Sequence, residues 1–321
     1  MSHDVLKTPG KRFEDLPDYP FEPNYITCQG YRIHYIDEGE QDRPVILLLH
    51  GEPSWSYLYR KMIPRLVDQG FRTIAPDLLG FGKSDKLQKK TDYSYQLLVD
   101  IKTEFVKKLD LDIAVLFIQD WGSLVGLRLL ETVGNRVHRV VLANGGLPAM
   151  DGISSWFAHS IFKLRVKFNS ISTEDDLREN LNFLNWVTYT QKAKEFPIGN
   201  IIQSATLTEL SSEELAAYDA PYPDESYKTG ARILPMLVTS QLRKNKQVWN
   251  SVLKNWKKPF LTIFGDSDPI TKGGQKIFLK KVPGTKDLDH AIIEASHFIQ
   301  EDAANELVDR IVALYQQTPK A

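Results

Sequence analysis

Short apolar runs alternate with helical patterning along most of this chain, and that alternation constrains its fold more than any other feature. Tyr25–Cys28 and Tyr31–Asp37, separated by Gly30, read as an edge hairpin. Val45–Leu49, Arg72–Ala75, Ala114–Ile118, Val137–Ala143, Pro259–Phe264 and His290–Glu294 follow, each short and bounded by helical spacing. Eight strands arranged this way predict an α/β fold, a mostly parallel sheet with helices on both faces. Ligands in such sheets bind beyond the carboxyl ends of the strands. Those ends carry His50-Gly51-Glu52-Pro53, Asp77, Asp120, Asp266 to Asp268, and Ser296-His297. The chemistry therefore collects on one edge.

The alternation breaks between about Pro148 and Gly230. No strand pattern is visible there, and Trp156, Phe157, Phe162, Phe168, Phe183, Trp186 and Tyr189 crowd the stretch. The expectation is a helical cap, residues 148–230, over a core formed by 1–147 and 231–321. Most of these aromatics are expected to form the insertion's own core, and the rest an apolar, water-poor roof.

Composition narrows the partners. A net charge of −1 and a pI near 6.7 give no electrostatic reason to expect nucleic acid or an acidic membrane. Cys28 is the only cysteine, so neither an intrachain disulfide nor a cysteine metal cluster can form. The first 25 residues are polar and proline-rich, unlike a signal peptide, and Val45–Leu49 is far too short to span a bilayer. The expectation is a soluble, cytoplasmic protein.

Asp120 is the most informative residue. It follows the run Ala114–Ile118, and Leu124, Leu127 and Val133 then repeat at helical spacing up to Gly134. A polar residue at a sharp strand-to-helix turn is the nucleophile elbow of an α/β-hydrolase, where a serine usually stands. A carboxylate there makes an ester with an alkyl carbon, so the substrate needs an alkylating centre such as a carbon–halogen bond or an epoxide. Asp268 and His297 follow in the order nucleophile, acid, histidine. Asp266 competes for the acid role, but capping the strand end accounts for it. Of the seven histidines, His297 alone combines that order with a loop after the last strand. Oxyanion donors are expected from the backbone N–H groups of Glu52 and Trp121.

The chain resembles the haloalkane dehalogenases over nearly its whole length. The resemblance rests on His50-Gly51-Glu52-Pro53-Ser54-Trp55, Pro76-Asp77-Leu78-Leu79-Gly80-Phe81-Gly82-Lys83-Ser84-Asp85, Gln119-Asp120-Trp121-Gly122, Gly265-Asp266-Ser267-Asp268-Pro269-Ile270-Thr271 and His297-Phe298-Ile299-Gln300-Glu301-Asp302. It implies hydrolysis of small halogenated alkanes by water, without a cofactor or metal. It also implies a halide ion held by two N–H donors, one of them Trp121. With Glu52 in the turn, the second should be a cap tryptophan. Trp186, after Phe183-Leu184, fits that pattern, and Trp156 is the alternative. Ile118 departs from the general elbow pattern, in which a small residue often sits two before the nucleophile. An epoxide hydrolase would use the same Asp, His and acid with a pair of lid tyrosines, for which Tyr189, Tyr218, Tyr222 and Tyr227 are available. A binding protein of this fold would have no need of all three of Asp120, Asp268 and His297.

Overall fold

The computed structural model describes residues 5–179 and 181–318. Eight strands form one sheet: β1 (Asn24–Cys28), β2 (Tyr31–Glu38), β3 (Val45–Leu49), β4 (Arg72–Pro76), β5 (Ile113–Asp120), β6 (Val140–Gly145), β7 (Phe260–Gly265) and β8 (Ala291–Ile293). Their spatial order is β8-β7-β6-β5-β3-β4-β2-β1. β1 pairs antiparallel with β2, and β2 with β4, while the other neighbours run parallel. The mostly parallel sheet read from the sequence is therefore present. Val5–Leu6 and Lys86–Leu87 add a small antiparallel ladder that the sequence did not announce.

The central strands are buried on both faces, as parallel strands between helical layers must be. Every residue of β3, β6 and β7 is buried, as is every residue of β5 before Asp120. Helices Trp121–Val133 and Ile299–Gln317 both pack on β5 and β6. Several strand ends differ from the sequence reading, two of them instructively. β5 runs on to Asp120, because Gln119 still pairs with Ala143 and Asp120 with Gly145 across a register shift. Val137 contributes only an isolated bridge to Ile113, and the ladder of β6 begins at Val140.

Between β6 and β7 the described residues hold no strand. Local chemistry starts several of the helices there. Asn182 caps Phe183–Lys192 by accepting from the Asn185 N–H, and Ser211 with Glu214 closes a capping box on Ser212–Asp219. The aromatic content is distributed differently from expectation. Phe162 stacks on Phe183 at 5.7 Å and Trp186 on Phe196 at 5.9 Å, inside the segment. Trp156, Phe157 and Phe168 instead point outward, 58–76% exposed along helix Ser154–Phe168. That helix buries only Val166, with Phe162 packed beside it, so most of its apolar content does not serve as core.

A buried ionic cluster ties this segment to the sheet side. The Arg60 guanidinium meets both oxygens of Glu301, one at 3.0 Å, and also reaches Glu214. Lys61 reaches Glu301 at 2.9 Å, and the Tyr218 hydroxyl donates to the same carboxylate. Asp302 accepts from the N–H groups of Leu207, Thr208 and Ser296 at 2.8–2.9 Å. Together with the Phe298 N–H bond to the Ala205 carbonyl at 3.1 Å, this stitches the turn at 205–208 to the loop holding His297.

Candidate active site

Asp120 sits at φ 47°, ψ −120°, a backbone strain enforced at the junction of β5 and helix Trp121–Val133. Close approach makes the junction possible. A Cβ on Gly122 would lie 1.9 Å from the Leu49 carbonyl oxygen, so only glycine lets the helix start press against the end of β3. Ile118 is accommodated by the helix one turn further on, where a Cβ on Gly126 would fall 2.5 Å from the Ile118 Cγ2. The departure read from the sequence is thus matched by a missing side chain opposite. The Ser123 hydroxyl donates to the Asp120 carbonyl at 2.5 Å and receives the Gly146 N–H at 2.8 Å, pinning the turn to the end of β6. The carboxylate itself stands at a helix N-terminus, whose partial positive charge favours an anion.

The structure brings the predicted residues together. The Glu52 N–H donates to Asp120 Oδ1 at 2.8 Å. His297 Nε2 lies 3.7 Å from Asp120 Oδ2, and its Nδ1 lies 3.1 Å from Asp268 Oδ1. Asp268 is fully buried and also accepts from the Ile270 N–H at 2.8 Å and the Thr271 hydroxyl. Burial alone would raise its pKa, but His297 and these donors pull it down to about 2. Burial would likewise lower the pKa of His297. The Asp268 charge, the nearby Asp120 carboxylate and the hydrogen bond to Asp268 reverse that and push it up to about 10. Asp266 is exposed, and its carboxylate accepts from the neighbouring Ser267 hydroxyl at 2.8 Å.

Two residues that sequence reasoning passed over hold the histidine from behind. The Gln119 amide donates to the His297 carbonyl at 3.2 Å. Asn144 donates to the carbonyls of Ser296 (2.6 Å) and His297 (3.1 Å) and accepts from the Gly265 N–H at 2.7 Å, joining three strand ends. A polar residue ending each apolar run was the only signal for them. Conversely, Asp77 belongs to the reactive edge by sequence position, yet it is structural. It is buried and accepts from the Ser56 and Lys83 N–H groups at 2.8 Å while pairing with His34 Nδ1 at 2.8 Å. His50 is structural too. It receives the Leu78 N–H on Nε2 and donates from Nδ1 to the Gly51 carbonyl, and burial pushes its pKa down to about 4.

A cavity of about 60 Å³ adjoins Asp120. Glu52, Trp121, Trp186 and His297 line it together with apolar side chains including Leu177, Phe183 and Pro235. Trp121 is buried and edge-on to Tyr95, ring centroids 5.2 Å apart. Burial and the Asp120 charge hold the Glu52 carboxyl well above the usual carboxylate range, while the His297 charge and then the Trp186 N–H pull the other way. Trp156, by contrast, lies outside with the Arg243 guanidinium 3.8 Å above its ring. None of Tyr189, Tyr218, Tyr222 and Tyr227 lines this cavity.

An aspartate at the strand-to-helix turn, an acid–histidine pair and a largely apolar chamber meet at one edge of an α/β-hydrolase sheet. The alpha/beta hydrolase fold family matches residues 44–304. A haloalkane dehalogenase from Psychrobacter cryohalolentis is 42% identical over 98% of this chain and 99% of its own. Another from Mycolicibacterium paratuberculosis is 42% identical over 97% and 98%. Among solved structures, a haloalkane dehalogenase from Paraglaciecola agarilytica, described as tetrameric, matches with a TM-score of 0.79 at 28% identity, covering 98% of this chain and 97% of that one. The chain belongs to the haloalkane dehalogenases, enzymes that hydrolyse haloalkanes to alcohol and halide.

Proposed function

We propose that Asp120 is the nucleophile of this dehalogenase, His297 its base and Asp268 the acid that orients the base. One observation carries the reading: the Asp120 carboxylate, held on Oδ1 by the Glu52 N–H, faces both His297 and the chamber lined by Trp121 and Trp186. In the first step Asp120 displaces halide from the substrate carbon, forming an alkyl ester on the enzyme. The halide leaves toward the indole N–H groups of Trp121 and Trp186, donors without a lone pair to repel an anion. Burial and the Asp120 charge raise the pKa of the Glu52 carboxyl beside them, which disfavours a negative charge next to that pocket.

Esterification also readies the second step. The raised proton affinity of His297 rests partly on the Asp120 charge, and the ester removes that charge. His297 then releases its proton more readily and takes one from water, which attacks the carbonyl carbon of the ester. The oxyanion is held by the Glu52 and Trp121 N–H groups. The intermediate collapses as His297 gives that proton to the departing alcohol oxygen, and the new carboxyl group releases its proton to restore the Asp120 carboxylate.

The helical segment 148–230 is the cap in this reading, set on a core of 1–147 and 231–321, and it supplies Trp186. Among the described residues no tyrosine lines the chamber wall, whereas an epoxide hydrolase calls for a tyrosine proton donor there. No helix of the described residues is long and apolar enough to cross a membrane, which fits action in the cytoplasm on small, freely diffusing haloalkanes. The test is halide release from 1,2-dibromoethane and 1-bromobutane, with styrene oxide consumption beside it, for wild type and Asp120→Asn. Halide release lost in the variant supports the assignment, and epoxide turnover alone refutes it.

A further inference from the structure

The chamber of about 60 Å³ is roughly a tenth of the space next to it, so a long substrate chain finds more room outside the chamber than in it. A second space of about 560 Å³ meets the chamber at Asp120, Phe183, Val238 and Ile270 and opens between the loop after β6, helix Leu242–Ser251 and the segment 270–281. Its inner wall is apolar, with Leu124, Leu147, Trp249 and Phe278. Its outer wall is cationic, carrying Lys246, Lys254, Lys272 and Lys281.

The imbalance is local. The whole chain has 40 basic and 41 acidic residues, yet among the described residues the only acid lining this cleft is Asp120 itself. Lys246 is paired with Asp151 at 3.1 Å, and Lys254 bonds the neutral Asn250 amide at 2.7 Å. Among the described residues, Lys272 and Lys281 form no ion pair. A cleft lined by one sign of charge concentrates the opposite ion.

We propose that this cleft selects organohalides that carry an anionic group at the end remote from the halogen, ω-halocarboxylates being the simplest class. The inference rests on the dehalogenase reading of Asp120. The halogen-bearing carbon enters the chamber, the methylene chain crosses the apolar wall, and the carboxylate reaches the lysines. Asp120 repels the carboxylate from the inner end, so the same charges fix which end enters first. The reaction is unchanged. The Asp120 oxygen bonds the terminal carbon as the C–Br electron pair leaves with bromide. Water then cleaves the ester to give an ω-hydroxycarboxylate, bromide and one proton. Binding energy from the distant carboxylate holds the reacting end in place.

The experiment measures halide release from 6-bromohexanoate and 8-bromooctanoate against 1-bromohexane and 1-bromooctane, in wild type and Lys272→Gln/Lys281→Gln. The expected result is a loss of roughly 5–10-fold in kcat/KM for the two carboxylates, mainly through KM, as two half-screened ion pairs disappear. The bromoalkanes should be unaffected, and raising salt on the wild type should shrink its advantage on the carboxylates. Equal loss on all four substrates, or no loss on the carboxylates, overturns the proposal. A change confined to bromide inhibition also overturns it, and assigns the lysines to halide release instead. Failure to turn over the bromoalkanes at all would strike the dehalogenase reading, not this selection alone.

Discussion

His297 Nε2 stands 3.7 Å from Asp120 Oδ2, too far for a good hydrogen bond and close enough for each group to feel the other's charge. That spacing leaves the carboxylate free to attack a carbon and leaves room for water once the ester has formed. Replacing His297 with Gln should therefore spare alkylation and block hydrolysis. Mass spectrometry after incubation with 1-bromobutane should find a butyl adduct on Asp120, and an unmodified protein would refute covalent catalysis. Asp120→Asn should lower turnover by roughly 10⁴–10⁶-fold, the range seen when a nucleophile is removed.

Trp121→Phe and Trp186→Phe each remove one N–H from the proposed halide site while keeping an aromatic wall. A hydrogen bond to a charged group contributes about 1.5–3 kcal/mol, so each change should cost ~10–100-fold in kcat/KM. Bromide quenching of tryptophan fluorescence should weaken in both variants. Trp156→Phe, on the exposed face, should behave as wild type.

Gly126→Ala should destabilise the protein by about 1–3 kcal/mol, because its Cβ would meet the Ile118 Cγ2 at 2.5 Å. Adding Ile118→Ala removes that methyl and should recover part of the loss. Urea titrations of the four proteins in the cycle measure the coupling, and strict additivity would mean the two sites do not touch.

Stability should be greatest between about pH 4 and 6.5. The Asp268 pKa is pulled from 3.8 to about 2, so its contribution is complete above pH 4 and fades as the pH falls toward 2. The His297 pKa is pushed from 6.5 to about 10, so its contribution is complete below pH 6.5 and fades as the pH climbs toward 10. His297→Gln should flatten the alkaline limb of a urea-midpoint profile, and an unchanged slope would locate the titration elsewhere.

Glu301→Gln leaves the Arg60 guanidinium buried with one carboxylate fewer, and should cost about 3–5 kcal/mol. Replacing both residues by apolar ones, Arg60→Met with Glu301→Leu, should cost less than that single change. Thermal melts of the two variants decide the point.

Much of the site was legible because its residues occupy strand ends in one order along the chain. Asp120, Asp268 and His297 needed only apolar runs and the few residues after each. Asp77 obeyed the same rule and misled, since nothing local reveals that His34, on a strand two places along the chain, will meet it. Gln119 and Asn144 stayed hidden for the same reason, as their partner is a backbone carbonyl more than 150 residues away. In the helical segment, residue type ran ahead of geometry. Trp156 and Trp186 look alike in sequence, and only packing turns one outward and the other toward Asp120.

The stitching of Asp302 to Leu207, Thr208 and Ser296 has a practical consequence for anyone wishing to graft a foreign roof onto this enzyme. Gln119, Asn144 and Asp268 hold the base from the sheet side and would survive the exchange. The turn at 205–208 would not, and with it would go the bonds that steady the loop from above. A working chimera must therefore keep that turn native, or carry in its own partner for Asp302 and for the N–H of Phe298.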